Sequence, residues 1–365
     1  MLKNLSEVIT LSKTYNIPTE DILFLDFSLS GVKLNCPYVR VRFKFIPENK
    51  LYFKISFQRN INEYFFALPT NPHSIYCIKN NHLIAKEEEI GEVECLANDT
   101  CDSSYPRRGG TVLNLNPIPK SLCHGCKFCH TILQDARDKK ENLRDEISLR
   151  RFIKEWLKKQ KKTDLSHLIQ VAIVTGCFGD EEKLVEWLKM ARKVLNEYKF
   201  NGELFYYGSE ITKGGSLDEI SSLKPFGLCI SLECFEKRNL ILRYTKRRLK
   251  IKDIKRILKE AMERGIRTNF SYILGIEPLE IINEGFKELK PYINSFPVIN
   301  VFQLHQEQED LRCKEALSIN YYIKVRKMIE KIFEDKKITP RVWENYRSPW
   351  YLQFGRRVLD DIRVP

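Results

Sequence analysis

From residue 111 onward the chain repeats one rhythm, a short apolar run, a turn and then an amphipathic stretch, and nothing else in the sequence limits its fold so tightly. The apolar runs are TVLNLNPI (111–118), LIQVAIVTG (168–176), GELFYYG (202–208), GLCISLE (227–233), TNFSYILG (268–275) and PVINVFQL (297–304). They are short and apolar nearly throughout, as strands of a parallel sheet covered on both faces must be. Between them, 143–160, 180–198, 251–264 and 279–290 carry apolar residues at helical spacing. Strands alternating with helices imply successive βα units. Six of them predict an α/β fold, a partial (β/α)6 barrel of the TIM type, in which reactive groups collect at the C-terminal ends of the strands.

The first 105 residues read differently. CPYVRVRFKFI and KLYFKISFQ alternate apolar and polar residues, the pattern of half-buried antiparallel strands, with PENK between them as a hairpin turn. EYFFAL, SIYCI and GEVECL are further strand candidates. The reading is a small β-rich N-terminal domain over 1–105, following a helical segment, then a turn-rich linker at 99–110 (DTCDSSYPRRGG). The barrel is expected over 111–320 and a C-terminal helix and tail over 321–365.

At 365 residues, 43% of them hydrophobic, the chain can bury a large core. No apolar run reaches the roughly 20 residues that span a bilayer. The start, MLKNLSEVITLSKTYNIPTED, lacks the pattern of a signal peptide, so a cytoplasmic location with no membrane association is expected. The formal charge is +13, and Lys237 to Arg267 holds thirteen Lys or Arg against Asp253, Glu260 and Glu263. A second basic run covers Arg150, Arg151, Lys154, Lys158, Lys159, Lys161 and Lys162. Such faces attract phosphate-bearing partners, although a solvated helix surface has the same composition.

Eleven cysteines without a secretion signal argue against a disulfide framework. Cys36, Cys229 and Cys234 sit singly in apolar runs, where a thiol behaves as a small hydrophobe. Cys123, Cys126 and Cys129 are different. They follow the first strand in NLNPIPKSLCHGCKFCH, two residues apart each time, in a loop that Gly125 keeps adaptable. Thiolates this close can converge on one metal centre. One option is zinc, completed by His124 or His130; another is an iron–sulfur cluster. No matching CxxC lies downstream, which favours iron. Three thiolates would leave one iron of a four-iron cluster open to substrate or cofactor.

In this arrangement the sequence resembles the radical S-adenosylmethionine (SAM) superfamily, whose usual signature in the loop after the first barrel strand is Cys-x3-Cys-x2-Cys. The Cys126-Lys127-Phe128-Cys129 end matches the family's Cys-x-aromatic-Cys, while the first spacing is one residue shorter and suggests an atypical CxxCxxC branch. Gly208-Ser209-Glu210, at the end of the third strand, resembles the family's Gly-Gly-Glu-Pro motif without its second Gly and its Pro. Ser231-Leu232-Glu233 resembles the fourth-strand position that contacts the SAM ribose, and IKRILKEAMERGIRTNFSYILGIEP resembles the fourth helix and fifth strand. The resemblance covers about residues 111–305.

It implies a [4Fe–4S] cluster on Cys123, Cys126 and Cys129, with SAM chelating the fourth iron. It also implies SAM contacts from Phe128, from Gly208, Ser209 and Glu210 (ammonium), from Ser231 and Glu233 (ribose) and from Gly275 (adenine). Arg248 or Arg243 would pair with the SAM carboxylate. The implied activity is reductive cleavage of SAM to a 5′-deoxyadenosyl radical that abstracts hydrogen from a substrate. Flavodoxin or ferredoxin would be the electron donor. The cysteines after Cys129 are scattered, which speaks against auxiliary clusters, and for Cys95 and Cys101 packing or chance is expected over ligation. The charge favours a macromolecular substrate, RNA or protein, bound through the basic face and the N-terminal domain. A small metabolite held by Gln303, His305 and Gln306, and a zinc-containing nucleic-acid-binding protein without SAM chemistry, are the alternatives. Trp343, Tyr346, Trp350 and Tyr351 in the tail would stack on a substrate or close the barrel.

Overall fold

The computed structural model describes residues 2–359 apart from 49, 56–62, 100–103, 118–124, 130–142, 175–177, 304–305 and 346. The chain divides into two compact units. One comprises Met1–Thr100, Tyr272–Glu288 and Val298–Pro365, the other Cys101–Ser271 and Leu289–Pro297.

Two helices, α1 (Ser6–Tyr15) and α2 (Thr19–Ser30), open the first unit. They precede a five-stranded sheet of β1 (Arg40–Pro47), β2 (Tyr64–Pro69), β3 (Tyr76–Lys79), β4 (His82–Ala85) and β5 (Glu88–Asn98), in the order β2-β1-β5-β4-β3. Its neighbours β1–β2, β1–β5, β3–β4 and β4–β5 pair antiparallel. Alternation along β1 puts Val41, Phe43 and Phe45 inside, as the sequence pattern requires. Helix α2 is buried on every side, and so its apolar residues show no single face. Phe24 meets Phe66 at 5.2 Å and Phe27 meets Tyr76 at 4.4 Å between ring centres.

Three carboxylates of α2 lie in this core, each with partners, Glu20 accepting the Ile55 amide at 2.7 Å. Asp21 pairs with Arg326 at 2.8 Å and accepts the Tyr351 and Leu352 amides, both at 2.8 Å. Asp26 accepts from the Tyr76 hydroxyl at 2.8 Å and the Leu2 amide at 3.1 Å. Burial pushes the Asp21 and Asp26 carboxyl pKa values up against the pull of these donors.

The expected strand over KLYFKISFQ is absent where the chain is described. Leu51–Phe53 form a 3-10 turn closed by Phe53 N–H on the Lys50 carbonyl at 3.1 Å. Phe53 is fully buried, 5.7 Å from the ring of Phe45, so a tertiary contact overrides the alternating pattern.

The α/β part carries β6 (Tyr105–Arg107), β7 (Val112–Leu115), β8 (Gln170–Val174), β9 (Glu203–Gly208), β10 (Phe226–Glu233), β11 (Arg267–Leu274) and β12 (Val298–Val301). Their order is β12-β11-β10-β9-β8-β7-β6, so six strands succeed one another as in a barrel that stops short of closing. The pairs β7–β8, β8–β9 and β9–β10 are parallel. The α/β partial barrel and the β-rich N-terminal sheet are those the rhythm of the sequence predicts. The linker differs from expectation: Tyr105–Arg107 pairs antiparallel with β7 and forms an extra edge strand.

Helices α3 (Glu146–Gln160), α4 (Glu181–Glu197), α5 (Gly214–Ser221), α6 (Arg238–Ile241), α7 (Tyr244–Arg248), α8 (Ile251–Glu263), α9 (Leu279–Leu289) and α10 (Ile319–Ile332) fill the connections. Their starts are coded locally. Asp145 accepts the Ser148 amide at 2.7 Å in a capping box at α3, and Asp180 accepts the Glu182 and Lys183 amides at α4. In α8, Ile254, Ile257, Leu258 and Ala261 are buried, a single apolar stripe at helical spacing.

Candidate active site at the strand ends

Of the three clustered cysteines, Cys126 and Cys129 are described, and Cys123 lies outside the described residues, as do His124 and His130. Cys126 and Cys129 share one turn, closed by the Cys129 amide on the Cys126 carbonyl at 2.9 Å. Both are half-buried and neither is in a disulfide. The turn is tied to the end of α6 by the Lys127 amide on the Ile241 carbonyl at 2.9 Å. Phe128 is half-buried between the two thiols in sequence.

Burial raises the Cys126 thiol pKa, while the Lys246 charge and the Arg243 main-chain N–H pull it down and Glu233 and Cys129 push it up. These residues therefore surround the thiol. Glu233 is the last residue of β10 and takes a left-handed backbone, φ +68°, which costs a non-glycine residue on the order of 1–3 kcal/mol. Its carboxylate is buried and paired with Lys246 at 3.1 Å. On the same strand the Ser231 hydroxyl is fully buried and has no hydrogen-bond partner among the described residues. A buried hydroxyl without a partner is costly unless something else binds there.

The end of β9 is organised by Tyr206. Its hydroxyl donates to the Glu210 carboxylate, which also accepts the Ser209 amide at 3.1 Å. Gly208 makes this reach feasible, because a Cβ there would sit 1.9 Å from the Tyr206 hydroxyl oxygen. The Ser209 hydroxyl lies 3.3 Å from that of Thr245 in α7. Beyond it, Glu181 holds the following loop, accepting from the Thr212 and Lys213 amides at 2.8 Å each.

The excursion between β10 and α8 gathers around Arg238. Its guanidinium donates to the carbonyls of Leu232, Cys234, Lys246 and Leu249. Beside it opens a cavity of about 710 Å³ lined by residues 235–251, with Arg243 and Arg248 among its walls.

Cys126, Ser209, Glu210, Ser231, Glu233, Arg243 and Arg248 thus all belong to the second unit, in the connection after β7, at the ends of β9 and β10 or on the β10–α8 excursion. Gly275 belongs to the first unit. There its φ is +110°, and a Cβ would lie 2.6 Å from the Tyr322 hydroxyl oxygen, so its glycine serves packing within that unit. Gln303 is buried with its amide on the Ala67 carbonyl at 3.0 Å, an internal tie and not an exposed substrate contact. His305 and Tyr346 lie outside the described residues, and Gln306 opens the 3-10 turn Gln306–Leu311. Trp350 and Tyr351 are core residues, Trp350 donating to Glu330 at 3.0 Å. Cys95 is exposed and Cys101 is outside the described residues.

Sequence reading missed Tyr206, Lys246, Arg238 and Glu181. The first was detectable, since positions 206, 208 and 210 alternate to one side of an extended chain.

The donor set fits an iron–sulfur cluster. Two thiols of one turn stand with the Lys246 cation and the strand-end carboxylate of Glu233, and on the same strand the buried Ser231 hydroxyl has no partner among the described residues. Among the described residues, the one group of three or more His, Cys, Asp or Glu ligand atoms close enough to share an ion is Glu48, His82 and Glu89, in the first unit. No helix of the described residues is long and apolar enough to cross a membrane.

No protein-family model matches the chain, and no curated protein does. Solved structures give partial likenesses. The radical SAM methyltransferase TsrM from Kitasatospora setae, with cobalamin and a [4Fe–4S] cluster bound, is 13% identical with a TM-score of 0.37 over 52% of this chain and 36% of its own. SuiB from Streptococcus suis bound to S-adenosylmethionine is 13% identical, TM-score 0.43, over 62% of this chain and 49% of its own. HemN, the coproporphyrinogen III oxidase and radical SAM enzyme from Escherichia coli, is 14% identical, TM-score 0.44, over 62% of this chain and 52% of its own. The chain thus spans between a third and about half of the length of the structures it resembles.

Proposed function

We propose that the chain is a radical SAM enzyme of an atypical CxxCxxC branch, with Cys123, Cys126 and Cys129 as ligands of a [4Fe–4S] cluster. The observation that carries this reading is the turn of Cys126 and Cys129 set against Lys246 and Glu233 at the end of β10. When bound, the cluster supplies the electron that cleaves SAM to methionine and a 5′-deoxyadenosyl radical, which takes hydrogen from the substrate.

The chain's own groups bind and orient. Glu210 is the acceptor for the SAM ammonium, held in place by Tyr206 and the Ser209 amide. Ser231 and Glu233 face the ribose, and the orphan hydroxyl of Ser231 gains a partner when SAM binds. Arg248 or Arg243 meets the carboxylate, and Phe128 completes the cofactor contacts. The substrate is a macromolecule, RNA or protein, bound by the barrel (111–320) with the N-terminal domain (1–105) and the tail (321–365) as specificity elements. Flavodoxin or ferredoxin serves as electron donor in a cytoplasmic setting.

Anaerobically purified protein is expected to be brown with about four irons per chain. It should release 5′-deoxyadenosine when given SAM and dithionite, and Cys126→Ala should abolish both colour and cleavage. Colourless protein holding a single zinc would overturn the reading and favour a zinc-containing nucleic-acid-binding protein.

A further inference from the structure

The cavity beside the cysteine turn is walled by the β10–α8 excursion and is strongly basic. Arg238, Arg243, Arg247, Arg248 and Lys250 line it, against one acid, Glu236. Arg238 is committed to main-chain carbonyls, but the others are not. Among the described residues Arg243, Arg247 and Arg248 have no side-chain acceptor, although Arg243 is half-buried. Elsewhere on the same basic stretch four cations are matched inside the chain: Arg256 with Glu260, Lys259 with Glu263, Arg264 with Asp218 and Arg267 with Glu203. The unmatched cations therefore concentrate where the surface is concave. A half-buried guanidinium facing a cavity without a counter-ion is a site for an external anion.

Two further features narrow the ligand. Phe235 and Tyr244 line the same cavity, and Tyr244 is 52% exposed despite its ring, on a left-handed backbone of φ +44°. Aromatic faces among arginines are what unpaired bases stack upon. The positive surface also leaves the cavity, through exposed Arg247, Arg248 and Lys250 to exposed Lys252, so a chain of phosphates is matched better than one phosphate. Arg243 also turns its main-chain N–H to Cys126, which sets the cavity wall against the cysteine turn.

We infer that this cavity binds the sugar–phosphate backbone of single-stranded RNA, with Arg243, Arg247 and Lys250 on phosphates, Arg248 kept for the SAM carboxylate, and Phe235 and Tyr244 beneath the bases. The inference deepens the reading above, from which it takes only that the substrate is a macromolecule.

The test is fluorescence anisotropy of the full chain, purified anaerobically with its iron, against a labelled single-stranded RNA of roughly 12 nucleotides. No SAM or reductant is present, so failure of binding and failure of radical chemistry are read separately. Three phosphate contacts predict a slope of log affinity on log salt near −2, about a 20-fold loss between roughly 50 and 200 mM salt. Arg243→Gln with Arg247→Gln is expected to weaken binding at least about tenfold and to flatten that slope by about 1.4. Lys158→Gln with Lys159→Gln, on the separate basic helix α3, should change it less than about twofold.

Circular dichroism of each variant establishes that it is folded. Absence of RNA binding at low salt would overturn the inference, as would equal losses in both double variants. So would tight binding of a poly-glutamate peptide of matched charge, a mononucleotide that binds as tightly as the oligonucleotide, or displacement of RNA by saturating SAM.

Discussion

The hydroxyl of Tyr206 crosses the bare face of Gly208 to donate to the carboxylate of Glu210. Three residues on one side of a strand end thus form a device that fixes a buried glutamate before any ligand arrives. In the sequence, Gly-Ser-Glu reads as a fragment of a cofactor motif. In the structure its glycine has a second duty, which is to let a tyrosine pass.

Gly208→Ala should therefore be damaging well beyond the loss of a flexible residue. The added methyl has no room unless the Tyr206 ring moves, so a loss of at least about 1–3 kcal/mol is expected in chemical denaturation. Tyr206→Phe, which keeps the ring and removes the donor to a charged acceptor, should cost about 1.5–3 kcal/mol. Equal stability of both variants with the parent would refute the described contact.

The pair Gly275 and Tyr322 gives a sharper case. The Tyr322 hydroxyl is buried without a partner among the described residues, so Tyr322→Phe is expected to be neutral or to stabilise by up to about 1 kcal/mol. Gly275→Ala should destabilise through both the left-handed backbone and the hydroxyl contact. The double variant should recover the contact share alone, a coupling of about 0.5–3 kcal/mol in a double-mutant cycle. Strict additivity would mean the two side chains do not meet.

Asp21 is the most demanding charge in the first unit, since it is fully buried and balanced by Arg326 at 2.8 Å and two amides. Asp21→Asn leaves the guanidinium to Glu330 alone, 3.0 Å away, and about 1.5–3 kcal/mol should be lost. A thermal midpoint unchanged from the parent would contradict the pairing.

At α3, the Ser148 amide and hydroxyl hold the Asp145 carboxyl below its usual range. Asp145→Ala should cost about 1 kcal/mol at neutral pH. Because the folded-state pKa is depressed, this contribution is present above the ordinary carboxylate range and fades as pH falls through the folded value. The melting temperatures of parent and variant should accordingly converge in acid; a constant gap would show that the carboxylate charge plays no part.

How far the sequence revealed this molecule depends on the range of the interactions involved. The six barrel strands fall within a few residues of the apolar runs, because a strand covered on both faces needs little beyond its own composition. The antiparallel sheet was equally legible in the alternation of β1. Leu51–Phe53 was not, because Phe53 answers to Phe45 and Phe24, which are distant in sequence. Edge strand β6 hid inside turn formers. At the candidate site the types and order of Cys126, Glu210 and Glu233 were readable, whereas Lys246 and Arg238 lie in an excursion with no periodicity to mark them. Gln303 and Trp350 show the converse: residue types that suggest recognition can donate to internal acceptors instead.

The four carbonyls that converge on Arg238 come from both ends of the excursion, Leu232 and Cys234 on one side and Lys246 and Leu249 on the other. One planar cation thereby acts as the keystone of eighteen residues, and lysine, with a single ammonium, could not replace its fork. Such a segment opens as a whole or not at all. Amide hydrogens from 238 to 249 should exchange in a single cooperative event, and the cysteine turn, fastened to Ile241, should share in it.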